Sequence, residues 1–131
     1  MSSRRETEFK SDDNKRFEKA VDKLRSVSME IVADIGEFQR AYKHSDVDSE
    51  LPKRFHFTHL ETIAGCYSLH EIYVGPKGGY RAVVMFLHIR VGGKLQAIWV
   101  FAFKKQRNID RPMIERAKKI ARECWNSLER E

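Results

Sequence analysis

The sequence predicts an α+β fold in which an N-terminal helix or helical hairpin packs on a twisted antiparallel sheet of three to four strands and a C-terminal helix follows. Three patterns predict it. Phe17, Val21, Leu24, Ser28, Ile31, Ile35, Phe38 and Tyr42 step alternately by four and three residues, the spacing of one helix face. Two runs dense in Val, Ile, Phe and Trp, residues 80–91 and 94–104, are separated only by Gly92-Gly93, which suits a two-residue hairpin turn. Ile114, Ala117, Ala121, Trp125 and Leu128 repeat a helical stripe near the end of the chain. A length of 131 residues fits one domain, 1–131, with a single core.

Taken in order, residues 1–10 carry Arg4, Arg5, Glu6, Glu8 and Lys10 with Phe9 as the only large apolar side chain, a composition expected to give a loose arm with at most a short edge strand. Ser11 is placed to cap the long helix, with Asp12 and Asp13 beside its positive end, and Gly36 is the expected point of a kink or division. Residues 44–52 are polar and acidic and read as a loop. Residues 55–63 fit helix or strand equally, whereas 67–74 favour a strand that ends at the glycine-rich turn 75–79. Asp110 and Pro112 mark the start of the last helix.

Composition narrows the function. The longest apolar runs, residues 82–87 and 97–103, are far short of the roughly 20 residues of a membrane span, and the charged start has no signal-peptide core, so the expectation is a cytoplasmic protein with no membrane partner. Cys66 and Cys124 lack any C-x-x-C spacing and read as buried thiols. The net charge of +6 is uneven. Residues 80–131 carry 12 basic and five acidic side chains, while residues 1–79 carry 13 and 14. A positive half on a balanced chain suits a polyanionic partner, nucleic acid ahead of acidic protein or anionic lipid, and composition alone suits a merely solvated helix face equally well.

The hairpin sharpens that reading. With Gly92-Gly93 as the turn and an unbroken ladder, Arg81 faces Lys104 and Tyr80 faces Lys105, with Arg107 just beyond. Like charges facing each other destabilise a ladder by a few tenths to ~1 kcal/mol. A phosphate held between them would compensate, because guanidinium and ammonium donors suit its oxygens; the bland alternative is a sheet end whose side chains splay into water. Other candidates are weaker. His56 and His59 lack the remaining ligands of a metal motif, so no metal or cofactor is expected. His88 reads as a core histidine in mid-strand, residues 75–79 as a plain hairpin turn, and Trp99 and Phe101 as core.

The stretch Leu69-His70-Glu71-Ile72-Tyr73-Val74, then Gly79-Tyr80-Arg81-Ala82-Val83, then Ile98-Trp99-Val100-Phe101-Ala102-Phe103-Lys104-Lys105, then Pro112 and Ile114-Glu115-Arg116-Ala117, resembles the RelE/ParE toxin superfamily, and within it the phage-derived HigB-like toxins. The resemblance spans residues 60–122. It implies the toxin of a type II toxin-antitoxin pair, with N-terminal helices on a twisted antiparallel sheet, acting as a metal-independent endoribonuclease that cuts mRNA, usually on the ribosome. Its partners would be mRNA, the ribosome and a cognate helix-turn-helix antitoxin.

By the same resemblance Arg81 matches the functional arginine, and Lys104, Lys105 and Arg107 match the basic strand end. Catalysis would fall to Arg81, Lys104, Lys105 and Tyr80, and phosphate contacts to Arg107, Lys94 and Arg111. Two departures stand out: Ile72 replaces the usual strand arginine, and Gln106-Arg107-Asn108 replaces the usual continuation. The competing readings are a non-enzymatic ParE-like toxin that binds DNA gyrase, and a decayed member that binds only its antitoxin. In the nuclease reading Arg81 and Lys104 are expected to be removable without cost to the fold.

Overall fold

The computed structural model describes residues 3–106 and 111–128. Its elements are β1 (Glu8–Ser11), α1 (Arg16–Lys23), α2 (Ser28–His44), β2 (Thr58–Ile63), β3 (Tyr67–Val74), β4 (Tyr80–Leu87), β5 (Gln96–Lys104) and α3 (Arg111–Ser127), joined by short 3-10 turns. The strands form one five-stranded sheet in the order β1-β5-β4-β3-β2. Four strands run as an antiparallel meander, and β1 lies parallel to β5. The fold is therefore α+β with a mixed sheet, one strand larger than the sequence predicts.

The extra strand comes from the segment expected to be a loose arm with at most a short edge strand, and a short edge strand is what it forms. Phe9 is the reason. Its ring stacks on Trp99 at 6.0 Å and meets Phe38, Tyr42 and Phe86 edge-on at 5.7–6.4 Å. Backbone bonds from Glu8 N to Leu95 O and from Asp12 N to Trp99 O close the two ends of the ladder. Composition counts apolar residues, but one aromatic side chain with a site waiting for it suffices to dock four residues. The preceding turn is held by Arg4, whose guanidinium lies 4.5 Å from the Tyr42 ring centroid and pairs with Asp48.

The predicted long helix is two helices. The break falls at a 3-10 turn, Arg25–Val27, where the Ser28 hydroxyl donates to Arg25 O, and not at Gly36, which sits inside unbroken α2. A single tight turn barely disturbs the apolar phase, so the stripe runs through it: Phe17 and Val21 from α1 and Ile31, Ile35 and Phe38 from α2 are all buried. The start of α1 also differs from expectation, with Lys15 at the N-cap position and Asp12 supplying the capping carboxylate from three residues earlier. Ser11 belongs to β1, and Asp12 accepts from Phe17 N at 3.0 Å and from Arg16 N at 3.3 Å. Asp110, the expected cap of α3, lies outside the described residues.

Ring contacts of Phe17 and Phe38 with Trp99, and of Tyr42 with Phe86, place α1 and α2 on one face of the sheet. Tyr67 against Trp125 and Arg116 over Phe101 place α3 on the other. With both faces covered, the middle of β4 and nearly all of β5 are buried, which is why those two runs read as continuously apolar. Among the described residues no helix is long and apolar enough to cross a membrane.

Phe9 should therefore behave as a core residue. Phe9→Ala is expected to destabilise the protein by about 2–3 kcal/mol, read as a lower urea midpoint at constant slope. A change within about 0.5 kcal/mol, the range of an ordinary surface substitution, would mean that β1 is not docked in solution.

Candidate functional site at the open end of the sheet

The register of β4 against β5 decides what this end of the sheet displays. The turn is as expected, since Val91 bridges Lys94 across Gly92-Gly93. The ladder is not continuous, however. Val84 pairs with Trp99 and Val83 with Phe101, so Val100 is an extra residue, a bulge in β5. Together with the irregular stretch next to the turn, it leaves Tyr80 opposite Lys104 and Arg81 opposite Phe103. A one-residue difference moves a side chain to the other face. Arg81 and Lys104 consequently lie on opposite faces, and the expected cross-strand pairing of the two cations does not form.

Arg81 lies in a row with Tyr73 on β3 and Phe103 on β5, on the α3 face. It is 5% exposed. Its Cζ sits 3.4 Å from the Tyr73 ring centroid, and Nη1 donates to Gly78 O at 2.8 Å and Tyr80 O at 3.1 Å. No carboxylate among the described residues pairs with it. Burying a cation without a counter-charge is costly, and here the compensation is a desolvated cation–π contact worth ~2 kcal/mol plus two carbonyl acceptors. The imidazole of His56 stacks on the same Tyr73 ring at 4.3 Å. Two groups that close to one ring centroid must take its two opposite faces.

Beside His56 and Tyr73 the β3–β4 turn borders a cavity of about 340 Å³ lined also by Asp34, Arg54 and Lys77, and Arg81 is not part of its lining. Asp34 on α2 ties the turn down, accepting from Gly75 N at 2.7 Å and from Arg54 at 3.1 Å; Arg54 also pairs with Glu37. Gly75, at φ +77°, has no room for a side chain, because a Cβ would meet the Tyr80 ring at 2.7 Å. His56 and Lys77 are themselves at positive φ, an unusual conformation for residues with side chains.

Tyr80 and Lys104 share the α1/α2 face, opposite each other, and Lys104 and Lys105 are exposed. The Lys105 N–H donates to Gly79 O at 3.0 Å, pinning the end of β5 to the turn. The other predicted contacts scatter. Lys94 is at the far end of the hairpin, paired with Glu8 at 3.0 Å; Arg111 is exposed at the first position of α3; Arg107 lies outside the described residues. The site thus gathers Tyr80, Arg81, Lys104 and Lys105 at one end of the sheet but distributes them over both faces.

Sequence reasoning missed two features. Arg16, Lys19 and Lys23, one face of α1, flank the end of β5 with Lys104 and Arg116; their spacing of three and four was readable as a helix face, but nothing in the sequence says that this face meets β5. On the α1/α2 face of β2 and β3 a polar chain links His59, Thr62, Ser68 and His88 at 2.6, 3.2 and 2.6 Å. His88, expected in the core, is exposed beyond the end of β4. His70 stacks on Phe57 at 4.4 Å, and burial, with His59 as the next contributor, pushes its imidazole down to about 4. Among the described residues no group of His, Cys, Asp or Glu has an arrangement that could hold a metal ion. Burial pushes the Cys124 thiol up to about 11, away from the reactive thiolate.

No protein-family model matches this chain, and comparison with curated proteins and with solved structures finds no significant match. The chemistry of the site rests on its own geometry.

Two outcomes follow for stability. Arg81→Ala should cost about 2 kcal/mol, since it removes the ring contact and both carbonyl bonds, while Lys104→Ala should stay within about 0.5 kcal/mol; equal urea midpoints for the two variants would contradict the structural role of Arg81, which replaces the expectation that it is dispensable to the fold. For His70 the folded state disfavours the imidazolium, so the unfolded chain takes up a proton first as pH falls below 6.5. Stability should decline on acidification from about pH 6.5 towards 4 and level off above it. In His70→Leu that part of the slope should be missing from the pH profile of the urea midpoint.

Proposed function

We propose that this chain is the toxin of a type II toxin-antitoxin pair, of RelE/HigB-like type, and that it cleaves mRNA without a metal ion. The observation that carries the reading is Arg81, a guanidinium 5% exposed with no carboxylate partner among the described residues, beside a sheet end where Lys104 and Lys105 are exposed. A buried cation without a counter-charge next to solvated ones is suited to a ligand that brings negative charge with it, and a phosphodiester does so. Antiparallel strands followed by a last helix are compatible with the resemblance in residues 60–122.

In this reading the 2′-hydroxyl of one nucleotide attacks the adjacent phosphorus, the P–O5′ bond breaks, and the 2′ proton is removed while the 5′ oxygen gains one. RNA carries its own nucleophile, so the protein need only orient the strand, neutralise the extra charge of the phosphorane and move two protons. Arg81 with its remaining N–H donors would steady the phosphorane. Lys104, with Tyr80 opposite it as partner, would give a proton to the leaving oxygen, solvent water would take the 2′ proton, and Lys105 would hold the neighbouring phosphate.

One observation favours a second reading. Arg81 is locked in the turn and faces away from Lys104, as a purely structural arginine would be, and a chain so arranged binds its partners without cutting RNA. Growth arrest and metal-free cleavage separate the two. Induction in cells should stop growth, and the purified protein, with or without ribosomes, should cut mRNA in EDTA to leave 2′,3′-cyclic phosphate ends. Lys104→Ala should lower cleavage about 10²-fold or more with its fold intact. Cleavage that depends on Mg²⁺, or none under any of these conditions, would remove the nuclease reading.

A further inference from the structure

Between α1, α3 and the end of β5 lies a cleft of about 360 Å³. β1 pairs with β5 as far as Trp99, and beyond that residue α1 covers the strand edge, so the floor of the cleft is made of side chains and offers no backbone to pair with. Phe101, Phe103 and Ile120 are buried at its bottom, and the half-buried Leu24 and Met113 stand at its sides. Where α1 begins, Arg16 pairs with Glu123 of α3 and ties the two helices together. A volume of this size suits a small organic molecule, since ligand pockets span roughly 300–1,000 Å³.

The charge around the cleft has one sign. Lys19, Lys23, Lys104 and Arg116 line it, and none of the four forms an ion pair with a described residue. No carboxylate lines it. The neighbouring hollows differ: the one between α1 and α2 carries Glu18 and Asp22 beside Lys10, and the cavity at the β3–β4 turn carries Asp34. Lys19 and Lys23, one helical turn apart, repel each other. Arg116 stands 5.3 Å from the centroid of the Phe101 ring, above the apolar floor. Lysines that serve solubility alone are interspersed with acidic residues on a polar surface, whereas these four cations surround an apolar hollow.

We propose that this cleft binds a small organic anion with an apolar body, an acyl or aryl carboxylate, its body against Phe101, Phe103, Leu24 and Met113 and its carboxylate among the four cations. Inorganic phosphate or the backbone of a nucleic acid would use the cations and leave the apolar walls wet. An uncharged apolar molecule would leave the cations without a counter-charge. A ligand with both parts satisfies both, through charge-assisted hydrogen bonds at its head and apolar contact along its body. The stems of Lys19 and Lys23 can lie along such a body while their ammonium groups reach the carboxylate. Lys104 belongs both to this cleft and to the sheet end, so an occupant would compete there with a polyanion. The proposal does not depend on RNA cleavage.

The test follows the methyl resonances of the full-length protein by NMR during titration with octanoate and with naphthoate, and octylammonium and inorganic phosphate are the controls. At least one of the acids should shift the methyl signals of Leu24, Met113 and Ile120 to saturation, and which of them does so tells whether the body is acyl or aryl. K19E/K23E, two exposed substitutions that leave the floor intact, should raise the dissociation constant about tenfold or more, and the half-buried Met113→Gln should do the same with the other core methyl signals in place. Equal binding of octylammonium would show a pocket indifferent to charge, and equal binding of phosphate a bare anion site; either would overturn the proposal. So would shifts confined to Val21 and Ile35 in the hollow between α1 and α2, unchanged affinity in K19E/K23E, or no saturable shift with either acid. None of these measurements involves RNA, so absence of RNA cleavage leaves them untouched.

Discussion

The extra residue Val100 in β5 determines the face of every side chain beyond it. Upstream, Ile98 pairs with Met85; downstream, Phe101 pairs with Val83, and the ladder stays in that shifted register to its end. Because the side-chain period of a strand is two, the shift rotates the last turn of the hairpin by one face. Phe101 and Phe103 thereby face α3, and Arg81 joins them between two aromatic rows instead of meeting Lys104. A bulge in a strand buried on both faces is accommodated here because Phe101 and Ala102 meet Val83 and Ala82 in the shifted register, and Phe103 meets the buried Arg81. Val100 itself is fully buried.

The division of the β5 edge between a strand and a helix has its origin in β1. Four residues of the N-terminal segment dock because Phe9 completes an aromatic cluster with Phe38, Tyr42, Phe86 and Trp99. Asp12 then ends the strand and caps α1 in the same stroke, its backbone N–H bonding to Trp99 O and its carboxylate accepting from Arg16 and Phe17. A strand that continued beyond Ser11 would cover residues 101–104. The carboxylate of Asp12 instead directs the chain into a helix that covers this stretch and borders it with a cationic face, so the length of β1 and the position of α1 beside β5 are two consequences of one residue.

Much of the scaffold was legible in the sequence, and the reasons are local. Residues 67–74 form the predicted strand because strand formers there end at a glycine-rich turn, and Gly92-Gly93 is the hairpin turn. The helical stripe was read correctly in phase and wrongly in continuity, since a three-residue 3-10 turn hardly changes the phase. What escaped depends on contacts distant in sequence. Composition could not show that Phe9 has a site between α2 and β5, nor that the face of Arg16, Lys19 and Lys23 would border Lys104. The site residues Tyr80, Arg81, Lys104 and Lys105 were placed at the correct end of the sheet, but pairing by position numbers assumes an unbroken ladder, and the bulge at Val100 gives Arg81 and Lys104 different faces.

That separation gives the cations of the sheet end unlike electrostatic characters. Arg81 is desolvated, with its charge spread over the Tyr73 ring and two carbonyls, and has little freedom to follow a ligand. Lys104 and Lys105 are solvated, and salt screens their attraction for distant anions. A polyanion approaching the sheet end would meet the lysines first, through a field that acts over about 8 Å at physiological ionic strength. Only a group that penetrates the turn would experience the low-dielectric charge of Arg81. Capture of such a polyanion would therefore fall to the exposed cations of β5, and geometric selection to a fixed one whose position is set by the Gly78 and Tyr80 carbonyls and the ring of Tyr73. Because the two kinds stand on opposite faces, a ligand that engages both must cross the end of the sheet, and that crossing is the geometric requirement any occupant of this site has to meet.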